Sequence, residues 1–102
     1  MDPKVAKCLL VSKVLVADGI MTENERIFLD KMMTRLGLDA ADRQRVLDLE
    51  GWDQAEPAVA KLSADEKREL VSMLTAASAT DGRSSPLEAA TVKRITAALG
   101  VE

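Results

Sequence analysis

The sequence contains no histidine and no tyrosine, and only one cysteine, one tryptophan and one phenylalanine. Without imidazole it lacks the commonest general base, the commonest activator of a nucleophile and the commonest transition-metal ligand. A lone Cys8 excludes an internal disulfide and a cysteine-rich zinc site. Cys8 falls in an apolar helical run, where a thiol serves as a small hydrophobe, and a reactive thiolate would need an electropositive partner. No phosphate-binding glycine loop is present either. Clustered positive charge is also missing. Arg43 with Arg45, Lys67 with Arg68 and Lys93 with Arg94 are short pairs interleaved with acids, and the formal net charge is -3. A nucleic acid backbone demands clustered cations, and single strands demand an aromatic platform, so no nucleic acid partner is expected. Nor is there a long hydrophobic run. Lys13 interrupts Cys8 to Ala17, too short and too polar a stretch for a membrane span, and its counterpart later in the chain marks it as a core helix rather than a signal sequence. No direct membrane insertion is expected, and a cytoplasmic location is.

What remains is a chain of 102 residues, 47% hydrophobic and 30% charged, sized for a single globular domain over residues 1–102. Its core must be built from Leu, Val, Ile, Met and Ala, which suits closely packed helices.

The chain repeats itself. One gapless shift lays Asp18-Gly19 on Asp81-Gly82, Glu25 on Glu88 and Leu36-Gly37 on Leu99-Gly100. The same shift pairs Thr22 with Ser85, Leu29 with Val92 and Met32 with Ile95. The identities sit at punctuation, where a shared backbone shape requires them. In the first copy a helix from about Val5 to Ala17 is apolar on a broad face, and Gly19 supplies a left-handed closing residue. Thr22-Glu23-Asn24-Glu25 then reads as a capping box opening a helix that carries Leu29, Met32, Met33 and Leu36 inward and stops at Gly37. The second copy has a helix from about Asp65 to Thr80 with Leu70, Val71, Leu74, Ala77 and Ser78 inward. Ser85-Pro86-Leu87-Glu88 is again a capping box, followed by Val92, Ile95 and Leu99. Both first helices, apolar or small nearly all round, are expected to be the most buried elements.

Between the copies, Asp39 caps a segment with Val46, Leu47 and Leu49, closed by Gly51. Asp53 starts a short helix through Lys61, and Ser63-Ala64-Asp65-Glu66 opens the next. Trp52 is expected to anchor that corner against the core. Nothing alternates with a period of two, so no strand is expected. The fold class is thus all-α, a compact bundle of about six helices built from two helix–turn–helix repeats. Repeat one covers about 3–38, a helical linker 39–62 and repeat two about 63–101.

The block from Ala17-Asp18-Gly19 through Thr22 and Glu25 to Leu36-Gly37-Leu38, with its echo from Thr80-Asp81-Gly82 to Leu99-Gly100-Val101, resembles the TerB-like family of bacterial tellurite-resistance and stress-response proteins. The resemblance covers nearly the whole chain. It implies an all-helical fold, a cluster of acidic residues proposed to bind metal or partner proteins, and no established catalytic activity. It also implies kinship with domains fused to J-domain co-chaperones and to membrane-associated stress complexes. Tellurite itself is an anion, and a net-negative chain with acids at its signature positions repels anions.

Asp-Gly followed after five residues by Glu is also the second half of an EF-hand calcium loop. The first half is absent, because loop positions one and three fall on Val14 and Val16, and on Ala77 and Ala79, whose side chains cannot ligate. A looser site of Asp18, Glu25, Asp81 and Glu88 is oxygen-rich chemistry suited to calcium or magnesium. Against it, Asp before Gly commonly bonds its own turn, and Glu three residues after Thr or Ser is a capping residue. The expected function is a non-catalytic protein-interaction module in a bacterial stress response, with an acidic face at the two Asp-Gly turns. The alternative is a small divalent-cation-binding protein using the same carboxylates. An enzyme is disfavoured for want of histidine, an activated thiol and a phosphate loop. The partner is expected to be a protein and the chain a monomer or weak dimer.

Overall fold

Pro3 brings the fixed φ of a first helical position, and the Asp2 carboxylate accepts from the Lys4 amide at 2.8 Å, so the first helix starts two residues earlier than its apolar pattern suggests. The structure, a computed structural model, describes residues 2–17, 19, 21–48, 51–79 and 86–100, with the side chain of Trp52 excepted. Among these the elements run α1 (Pro3–Leu15), α2 (Glu23–Leu36), α3 (Ala40–Leu47), α4 (Trp52–Val59), α5 (Ala64–Ser78) and α6 (Pro86–Leu99), with no strand. This is an all-α bundle, with a radius of gyration of 12.3 Å.

The bundle is organised around α1. Its Val5, Ala6, Cys8, Leu9, Leu10, Val11, Ser12, Val14 and Leu15 are all buried, and α2, α3, α4, α5 and α6 each pack on it. A helix apolar on every side has nowhere to go but the centre. The same burial was expected of α5, and the structure corrects this. Only Leu70, Leu74 and Ala77 of α5 are buried. Its first turns are the charged run Asp65-Glu66-Lys67-Arg68-Glu69, which mostly faces water, so a narrow buried stripe meets α1 and α6 with Val71 and Met73 half-buried beside it.

Helix ends follow the chemistry of their termini. Gly37, at φ 74, closes α2: its amide donates to the Thr34 carbonyl at 3.1 Å and the Leu38 amide to the Met33 carbonyl at 3.1 Å. This left-handed double closure is the Schellman arrangement, and Leu38 is buried beside it. Ser63 caps α5 by accepting from the Glu66 amide at 3.2 Å. One expected start is displaced. No side chain caps α4; Gly51, at φ 76, turns the chain so that the helix opens at Trp52, with Asp53 inside the first turn rather than before it. Pro57 lies inside that short helix. The expected anchoring by the Trp52 side chain, the inward role of Leu49 and the turn at Gly82 fall outside the described residues.

Arg43, which its sequence context places on a solvated face, instead joins two elements. Its guanidinium donates from Nη2 to Thr34 Oγ1 at 2.7 Å and from Nε to the Leu38 carbonyl at 3.3 Å. The side chain is half-buried and ties α3 to the end of α2. Arg43→Ala is therefore expected to cost about 1 kcal/mol, since hydrogen bonds from a charged donor are lost and a carbonyl loses its partner. Urea unfolding within 0.5 kcal/mol of wild type, the range for an uninvolved surface residue, would show the tie to be idle.

Candidate functional site

Four carboxylates were singled out from the sequence. Glu25 is the third residue of α2, and its environment is that of a completed capping box. The Thr22 hydroxyl accepts from the Glu25 amide at 3.2 Å, while Glu25 Oε1 accepts from the Thr22 amide at 2.9 Å. Only 2% of Glu25 is exposed. A buried carboxylate is tolerable there because an amide and the positive end of the helix both stabilise it.

Glu88 occupies the corresponding third position of α6, directly after Pro86 and Leu87, and is 4% exposed. The two glutamates are the only carboxylates among the buried polar residues described. Asp18, Asp81 and the expected cap Ser85 lie outside the described residues. Among the described residues, no group of three or more cysteine, aspartate or glutamate side chains is placed to hold a metal ion. Glu25 thus has a structural task in hand, and any ligand role is additional to it.

Two further features carried no clear sequence signal. Glu56 of α4 sits between α1 and α6, with Oε1 at 3.0 Å from Arg94 Nη1 and 4.0 Å from Lys13 Nζ. The three charges come from distant segments, so no local spacing could announce them. They stitch three helices together at a partly exposed seam, where such pairs contribute about 0–1 kcal/mol each. The second feature is a groove where α2 and α5 flank α1. Phe28, Lys31, Met32, Arg35 and Leu36 line it from α2 and Met73 from α5, around a cavity of about 110 Å³. Met32 and Leu36 were legible as part of the inward face of α2; that Phe28 joins them at an open edge was not.

The one thiol, Cys8, is fully buried on α1. Burial pushes its thiol up to about 12, against the smaller pull of Lys7 and Arg43 in the other direction. At neutral pH it is a protonated core residue, in keeping with its expected role.

A family model described as tellurite resistance protein TerB matches residues 4–102. No curated protein and no solved structure matches the chain. Among the described residues, no helix is long and apolar enough to cross a membrane.

Proposed function

The chain belongs to the TerB family of tellurite resistance proteins, and from that premise we propose that it is a non-catalytic, cytoplasmic protein-interaction module of a stress response, presenting acidic faces at its Asp-Gly-x5-Glu turns. The observation that carries this reading is the pair of buried glutamates, Glu25 and Glu88, at the third positions of α2 and α6. Glu25 braces the turn before α2 from inside, through its bond from the Thr22 amide. Around Glu25 the exposed side chains include the acidic Glu23, leaving negative charge available to a partner on the outer surface. Binding through such a face is electrostatic. A protein partner held this way is expected to release as salt rises towards ~1 M, where the Debye length falls to about 3 Å. Retention at that salt would argue for an apolar interface instead.

The second reading, a weak calcium or magnesium site drawing on Asp18, Glu25, Asp81 and Glu88, is favoured by the same burial of two carboxylates at equivalent helix positions. Two double variants separate bracing from ligation. Gln preserves the acceptor that the capping box needs but lacks the charge a hard cation requires. Glu25→Gln with Glu88→Gln should leave the melting temperature nearly unchanged. Glu25→Ala with Glu88→Ala should lower it by roughly 8–16 °C, on about 1 kcal/mol per cap and the usual conversion for a domain of this size. If a cation binds, calorimetric titration with calcium or magnesium should detect it in wild type and in neither double variant. No heat at millimolar cation would remove this second reading and leave the first standing. Equal melting temperatures for all three proteins would remove the bracing argument.

A further inference from the structure

The groove between α2 and α5 has the wrong charge for a molecule read only as an acidic module. Its floor and walls are Phe28, Met32, Leu36 and Met73, and its rim carries Lys31 and Arg35. Neither cation has an ion pair with a described residue, whereas Arg26, a turn earlier on α2, pairs with Asp30 at 3.7 Å. Lys31 and Arg35 stand one helical turn apart, about 6 Å along the axis. Close by on the surface of α2 lies Ile27, 43% exposed and one of two large apolar side chains left so open among the described residues. An apolar slot with two unspent cations on its edge matches an amphipathic anion.

Size selects among such anions. A cavity of about 110 Å³ is well below the roughly 300–1,000 Å³ of small-molecule and cofactor sites, and holds one bulky side chain. Charge argues against a lipid surface: two cations on a chain of net charge -3 fall short of the clusters of four to eight that hold proteins to anionic bilayers. The methionines of its floor and walls, Met32 and Met73, adapt their shape to a guest side chain.

We infer that this groove is a docking site for an acidic segment of a partner protein, which inserts one Leu, Phe or Met between α2 and α5 and sets two carboxylates, one helical turn apart, on Lys31 and Arg35. The segment binds as helix-in-groove ligands do, with a few apolar anchors giving affinity and flanking charges giving orientation. The inference deepens the interaction-module reading but does not depend on the acidic turns. It stands if those turns bind nothing.

The test is selection of a phage-displayed library of random linear peptides against the wild-type protein, followed by titration of the best synthetic peptide. Enriched sequences should carry Asp or Glu three or four residues apart beside a Leu, Phe or Met. Amide shifts on titration should concentrate in Phe28 to Leu36 and around Met73. Lys31→Glu with Arg35→Glu, both exposed and expected to fold normally, should weaken the peptide at least tenfold. Glu25→Gln with Glu88→Gln should leave its affinity unchanged, which separates failure of this site from failure of the acidic faces. No enrichment, enrichment of basic peptides, or undiminished binding to the charge-reversed variant would overturn the inference. So would sedimentation with phosphatidylserine vesicles that the peptide fails to displace, or a dimer of the unliganded chain that the charge reversal dissolves.

Discussion

Leu9→Ala is expected to cost about 4 kcal/mol, near the top of the 2–5 kcal/mol range for truncating a buried leucine. Leu9 is fully buried on α1, the helix on which all five others pack. A cavity there is walled by several elements at once, none of which can move in without loosening its contacts elsewhere, so little of the void collapses. Leu74→Ala removes the same atoms from an equally buried side chain on α5. That helix packs closely on α1 and α6 and faces water elsewhere, so it can settle towards the gap, and about 2–3 kcal/mol is expected. With total stabilities of about 5–15 kcal/mol for native domains, the first change consumes much of the margin. Urea unfolding of both variants measures the difference. A larger loss from Leu74→Ala than from Leu9→Ala would mean that α1 does not organise the bundle.

That central role was legible in the sequence, because a helix with Val5, Cys8, Leu9, Val11, Leu15 and Val16 spread round its circumference has no polar face to offer water. The α2 boundaries were legible too: Thr22 with Glu25 and Gly37 each satisfy specific backbone groups through local chemistry. Where the outcome turned on partners distant in sequence, the reading went astray. The stripe Leu70, Leu74 and Ala77 was visible in α5, but the charged run Asp65 to Glu69 outweighed the apolar and small residues that follow it. Asp53 was read as the start of α4, yet the left-handed Gly51 had already turned the chain so that the helix opens at Trp52. Arg43 looked like solvated charge until the end of α2 supplied Thr34 and Leu38 as acceptors. The candidate site divides along the same line. The helix positions of Glu25 and Glu88 followed from spacing. The depth of their burial and the meeting of Glu56 with Lys13 and Arg94 depended on how the helices pack.

The sequence has no histidine, and its one thiol is buried. Two buried glutamates stand at helix starts, and two cations line the edge of an apolar groove. Such surfaces act by complementarity of charge and shape, as the proposed interaction role requires.

The shielding of Cys8 has its own thermodynamic signature. Its thiol is raised from 9.0 to about 12 in the folded chain, chiefly by burial. Between those values the folded protein keeps a proton that the unfolded chain releases, so alkali favours unfolding. Below pH 9 the contribution is constant, and above it stability should fall by about 1.4 kcal/mol per pH unit, reaching roughly 3 kcal/mol by pH 11. The measurement is the difference between wild type and Cys8→Ala by urea unfolding at pH 8 and at pH 11. At pH 8 the alanine variant should be less stable, having lost a buried sulfur from a packed helix. At pH 11 that deficit should shrink or reverse, because alanine has no proton to lose. Parallel pH profiles for the two proteins would mean that Cys8 reaches water in the folded state. The same burial predicts that a thiol-modifying disulfide reagent at pH 8 reacts with the native protein only as fast as the bundle opens, and at once in denaturing urea.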